Sequence, residues 1–201
     1  MNLTEQQRLE HNNVFDAAST LIQDEIPLHE RPQLPPPGWL LRRKLNRALK
    51  LFDRALELKP DNWSAMWLVG KVHQRLGDQT TALSWFERAY QENPSQPDVA
   101  REASMCAMDA GRNDTAIVFA HRATQIEPAN AGLHANLALA YLLAARIPDA
   151  KGSIERSIAA DPADQISQTI NTIIMHFAAN GRTPPTTPPS LLDYWHNNRT
   201  D

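Results

Sequence analysis

Apolar positions along the chain recur at helical spacing, not in the alternation of strands. Over residues 4–24, Val14, Phe15, Ala18, Leu21 and Ile22, continued by Ile26, form one stripe of an amphipathic helix. Thr4 with Gln7 has the form of a capping box at its start. Residues 27–38 break the pattern with Pro27, Pro32, Pro35, Pro36, Pro37 and Gly38, which predicts an extended linker. Residues 39–59 resume it, with Leu41, Leu45, Ala48, Phe52, Ala55 and Leu56 on the buried face. Further helices are predicted over 63–76, 97–110, 131–144 and 164–180, the last on Ile166, Ile170, Ile173, Ile174 and Phe177.

The pattern repeats. Pro60, Pro94, Pro128 and Pro162 are spaced by 34 residues, and each ends a helical stretch. Twelve residues before each proline stands Ala48, Ala82, Ala116 or Ala150. Eight before stands Phe52, Phe86, Ala120 or Ile154, and five before stands Ala55, Ala89, Ala123 or Ser157. A small–large–small series at steps of four and three lies on one helix face, where small residues admit a neighbouring helix and the large one fills the gap. Upstream of each series runs another helix. Gly77 and Gly111 close two of them, and Arg146-Ile147-Pro148 turns the third.

This register resembles the tetratricopeptide repeat family, whose pattern is W-x2-L-G-x2-Y, then A-x3-F, then P. The first unit offers Met66, Val69, Gly70 and His73, then Ala82, Phe86 and Pro94. The third offers His134, Leu137, Ala138 and Tyr141, then Ala150, Ile154 and Pro162. The second is weaker, with Ala100, Ala103, Ser104, Ala107, Ala116 and Ala120; Phe119, Met105 and Ile117 are candidates for the missing volume, unless the helices pack closer there. The resemblance implies an all-α right-handed superhelix of antiparallel helix pairs, a solenoid. We divide the chain into an N-terminal helix and Pro-rich linker (1–38), a degenerate half-repeat helix (39–62), three repeats (63–96, 97–130, 131–164), a capping helix (165–181) and a Pro-rich tail (182–201). The N-terminal helix is expected to dock where the partner of the half-repeat is missing.

In this family the first helix of each pair lines a concave groove that holds a peptide or protein segment. Carried over, the groove residues are Trp67, Lys71, Gln74 and Arg75, then Arg101, Met105 and Met108, then Leu139, Leu142 and Leu143. They run from basic and aromatic to apolar, which suits a peptide with an acidic and a hydrophobic part, unless the chain's own tail or first helix fills the apolar end. The carboxylate clamp of chaperone-binding members is absent. Trp67, Lys71, Glu102, Gly132 and Asn136 stand where it has Lys, Asn, Asn, Lys and Arg. Three repeats behind an N-terminal helical segment also resemble type III secretion chaperones, and an accessory subunit of an enzyme complex is a further alternative.

Composition adds exclusions. Net charge is −3, without the basic excess of a nucleic-acid binder. Arg42, Arg43, Lys44, Arg47 and Lys50 concentrate positive charge on one helix, read as a solvated face or an acidic-partner patch. The single cysteine, Cys106, reads as a small core residue. No catalytic motif, metal-ligand spacing or cofactor fingerprint occurs, so no catalytic residue, metal or cofactor is expected. A polar N-terminus and the absence of a 20-residue apolar run predict a cytoplasmic protein without a membrane span. In the tail, Leu191, Leu192, Tyr194 and Trp195 are expected to pack back on this chain or a second copy, since burial of a large side chain is worth about 1.5–3 kcal/mol. Self-association through either end of the chain follows as one option.

Overall fold

The computed structural model describes residues 3–27 and 34–198. Among them there are ten helices and no strand: α1 (Glu5–Ile22), α2 (Trp39–Leu58), α3 (Trp63–Leu76), α4 (Gln79–Glu92), α5 (Pro97–Asp109), α6 (Asn113–Ile126), α7 (Ala131–Leu143), α8 (Ile147–Ala160), α9 (Gln165–Asn180) and α10 (Pro188–Asn198). The fold is all-α, of the kind the repeat pattern predicts. The chain forms two compact units, Met1–Pro94 and Ser95–Asp201. The middle of the expected Pro-rich linker, residues 28–33 with Pro32, lies outside the described residues.

In the first unit α1 packs along α2, and α3 along α4. The predicted capping box forms: Thr4 Oγ1 accepts from Gln7 N, while Thr4 N donates to Gln7 Oε1. Phe15 meets Phe52 edge-on at 5.9 Å, and Glu10 pairs with Arg54 while Glu25 pairs with Lys44, so α1 runs antiparallel to α2. The helix 39–58 therefore has a partner, supplied by the N-terminal helix across the Pro-rich linker. In the second unit α5 packs on α6 and α7 on α8, while α5, α7 and α9 form a row of adjoining first helices.

Proline ends every second helix. The residue before each repeat proline leaves the helical region: Lys59 (φ −134°, ψ 85°), Asn93 (−142°, 85°), Glu127 (−126°, 78°) and Asp161 (−141°, 93°). Clash with the proline ring disfavours helical geometry there. First helices end differently, in a left-handed residue at Gly77 (φ 88°), Gly111 (69°) and Ala145 (58°). Each end carries the Schellman bond from the following N–H: Asp78 to His73 O, Arg112 to Ala107 O and Arg146 to Tyr141 O. The third repeat thus uses the same turn as its neighbours, with an alanine where they have glycine.

The small–large pattern is packed as its chemistry requires. A Cβ on Gly70 would lie 2.6 Å from the Phe86 ring, so glycine admits the aromatic side chain. In the second repeat Ala100, Ala103, Ala107 and Ala120 are all buried, and Ser104 Oγ reaches Ala116 O at 2.9 Å. That bond joins α5 to α6, and Phe119 and Ile117 add buried volume. Cys106 is buried. His134 is buried with its Nε2 at 2.8 Å from Pro128 O.

The tail is helical beyond what its prolines suggest. Pro188 and Pro189 occupy the first turn of α10, where a missing N–H costs nothing. Leu191 is buried. Tyr194 packs on Phe177 at 5.1 Å and bonds through its hydroxyl to His176 Nε2 and Arg182 Nη1.

Two stability predictions follow from this packing. Gly70→Ala is expected to lose about 1–3 kcal/mol in denaturant unfolding, because the added Cβ would lie 2.6 Å from the fully buried Phe86 ring. Ala145→Gly is expected to gain about 0.5–1 kcal/mol, the relief of a left-handed alanine less the added entropy of the unfolded chain. An unchanged midpoint for Ala145→Gly would contradict the strain read at this turn.

Candidate functional site

The candidate site is the row of first helices in each unit, considered separately. In the first unit Trp67, Lys71, Gln74 and Arg75 fall on α3 at steps of four, three and one, so helical geometry places them on one side. Lys71 is buried, and Trp67, Gln74 and Arg75 are half-buried. The Arg75 guanidinium donates through Nη1 to Pro35 O at 2.9 Å, tying the Pro-rich segment before α2 to α3. The Trp67 indole N–H is buried and has no acceptor among the described residues. His73, at a repeat-core position of the same helix, is shifted down by burial, opposed by Asp78 and Asp53, so its ring is neutral at pH 7.

In the second unit Arg101, Met105 and Met108 fall on α5, and Leu139, Leu142 and Leu143 on α7. Arg101, Met105 and Leu139 are half-buried. Met108, Leu142 and Leu143 are buried at 2%, 0% and 1% exposure, so a partner reaches none of them while the unit stays as it is. The helix α10 contacts α5, and its Tyr194 lies on α9. Because α7 lies between α5 and α9, the tail spans the end of this row. The chain's own tail covers part of the face, whereas the N-terminal helix is engaged with α2. Each end packs within the chain, while Leu9 and Leu192 stay exposed.

A groove of about 500 Å³ opens at the N-terminal ends of α5, α7 and α9. Its walls include Asp98, Arg101, Glu127, Asp161, Asp164 and Ile166. Arg101 Nη2 lies 2.9 Å from Asp98 and 3.5 Å from the buried Glu102, so its charge is already matched. Several acidic groups have structural partners as well. Glu127 accepts from Asn130 Nδ2, Asp161 accepts from Ala163 N, and Asp164 caps α9 through Ile166 N and Ser167 N. The Ser167 hydroxyl bond, with those two N–H groups, holds the Asp164 carboxyl below its ordinary value against the opposing effect of burial. The groove therefore carries negative charge at neutral pH. The sequence pattern missed this, because three of these acids sit in turns and not on first-helix positions. Among the described residues no three His, Cys, Asp or Glu side chains gather as a metal-binding group. No described helix is long and apolar enough to cross a membrane.

Comparison with known proteins gives a consistent result. Two tetratricopeptide repeat family models match residues 42–97 and 107–169, together more than half of the chain. Anaphase-promoting complex subunit 3 of Schizosaccharomyces pombe is 27% identical over 148 residues, covering 67% of this chain and 22% of that protein. The chain thus spans under a quarter of the length of the curated relatives it matches. Among solved structures, YrrB, a TPR protein with an unusual peptide-binding site, aligns with a TM-score of 0.59 at 19% identity, over 67% of this chain and 69% of that one. The MamA RS-1 ArsTM double mutant aligns with a TM-score of 0.71 at 11% identity, over 96% and 98%. At such identities the structures share the fold.

The Asp164 cap has a defined pH signature. A depressed carboxyl contributes stability that is complete above the ordinary carboxylate range and is lost as pH falls through its folded value. Asp164→Ala is expected to cost about 0.5–2 kcal/mol at neutral pH. Asp164→Asn keeps the cap without the charge, so its difference from wild type should narrow as acid is added. Denaturant unfolding across the acid range measures both, and a pH-independent difference for Asp164→Asn would refute the assignment.

Proposed function

We propose, from the premise that this chain belongs to the tetratricopeptide repeat family, that it is a protein–protein interaction scaffold whose first-helix face holds a segment of a partner. The family's members are generally scaffolds and not catalysts, and the fold supports that role here. YrrB carries a peptide-binding site on the same fold, which supports the reading by analogy.

One observation shapes the finer proposal. The Arg101 guanidinium is matched by Asp98 and Glu102, and Arg75 is held on a carbonyl. Neither is a ready receptor for an acidic peptide. The groove of the second unit instead presents Glu127, Asp161 and Asp164 around the exposed apolar Ile166. This favours an extended segment that combines a lysine or arginine with an apolar side chain. Met105 and Leu139 would extend the contact toward α10. The first unit, taken by itself, offers Trp67 and Gln74 as a half-buried aromatic and amide surface for a partner segment.

The experiment is a titration of labelled peptides, basic–apolar against acidic–apolar, measured by fluorescence anisotropy. The basic series is expected to bind more tightly, and Glu127→Lys to weaken it by about tenfold, the scale of an interface charge contact. Truncation after Gly181 removes α10 and is expected to tighten binding of peptides with a longer apolar part. Preference for the acidic series would overturn the charge assignment. Equal binding before and after truncation would move the site away from α10.

A further inference from the structure

The helix α2 carries a feature that groove binding does not use. Between Trp39 and Phe52 it has five cations and no acidic residue. Its inward positions Leu45, Ala48 and Phe52 are buried, and α2 packs on α1 and α3. Its outward stripe is Trp39, Arg43, Arg47 and Lys50, which steps of four, four and three place on one side. Trp39 is 70% exposed and its neighbour Leu40 is 65% exposed. Large apolar side chains this open in a folded domain call for an explanation, above all when adjacent.

The cations have different roles. Lys44 is paired with Glu25, and Arg42 Nε donates to Pro37 O. Arg43, Arg47 and Lys50 lie exposed, without an acidic partner among the described residues. Farther along, charge is balanced again, because Arg54 pairs with Glu10 and Glu57. The basic stripe thus begins at the exposed Trp39–Leu40 step and ends before Arg54.

We propose that this stripe is a docking surface for an anionic lipid bilayer. A helix side has no groove to clasp a peptide, but it suits a planar surface. Tryptophan and leucine partition into the headgroup and acyl boundary, while lysine and arginine beside them attract acidic headgroups. An acidic polypeptide would match the cations equally well, yet it would leave Trp39 and Leu40 unexplained. The contact is peripheral and reversible, with α2 lying in the plane of the interface, so no membrane-spanning segment is involved.

The full chain is mixed with phosphatidylcholine vesicles, with or without about 30 mol % phosphatidylserine, and bound protein is measured by flotation. Binding is expected only to the anionic vesicles, and is lost on raising salt from about 50 mM to about 500 mM. Each cation near the surface is worth about fivefold, so Arg43→Glu/Arg47→Glu/Lys50→Glu should weaken binding by more than about 100-fold. Trp39→Ala should weaken it by about tenfold. All four side chains are exposed, and matching thermal unfolding curves verify that the variants are folded. Failure to bind anionic vesicles at low salt overturns the proposal, as does binding that survives the triple reversal. A wild type that binds polyglutamate as tightly as vesicles, with Trp39→Ala unaffected in both, overturns it in favour of an acidic polymer. Peptide binding in the second unit is unaffected by either outcome, so the two readings fail separately.

Discussion

The array depends on a clash between a proline ring and the residue before it. At Lys59, Asn93, Glu127 and Asp161 that clash removes the helical option and leaves closely similar extended geometry. A helix that stops at the same point in each unit presents its small–large–small face at the same place. Phe86 can then meet Gly70 on the preceding helix, and the close contact of that glycine with its ring requires such alignment. Proline supplies no adhesive energy. It sets the length of the helices, and burial of apolar side chains supplies the stability.

The turn between the two helices of a pair is less strictly encoded. Gly77 and Gly111 adopt left-handed geometry readily, while Ala145 is carried into it by the Schellman bond from Arg146 to Tyr141 and by the packing on either side. Here tertiary context overrides local preference. The second repeat shows the complementary case, where loss of large side chains is answered by the buried Phe119 and Ile117 and by the Ser104–Ala116 bond.

These details explain what could be read from residues alone. The helices and their spacing were legible because proline, glycine and alanine act locally at fixed intervals. The pairing of α1 with α2 across a Pro-rich linker was legible as a missing partner beside a spare amphipathic helix. The helix α10 was not, since Pro184, Pro185, Pro188 and Pro189 suggest an extended tail and only the last two fall where a helix tolerates them. Nor was the state of the groove residues. Position on a first helix does not reveal that Arg101 is matched by Asp98 and Glu102, or that Met108, Leu142 and Leu143 are buried.

The seven residues between α9 and α10 have a consequence of their own. A helix held on so short a tether stays near its docking place at an effective concentration of roughly millimolar. Any free segment seeking the surface beneath α10 competes with that permanent rival. Its apparent affinity is reduced by the fraction of time the surface is uncovered. For the proposed partner segment the short tether would act as a threshold: brief or poorly matched encounters would be turned away, and occupancy would rise only for a ligand that is abundant or is itself tethered nearby.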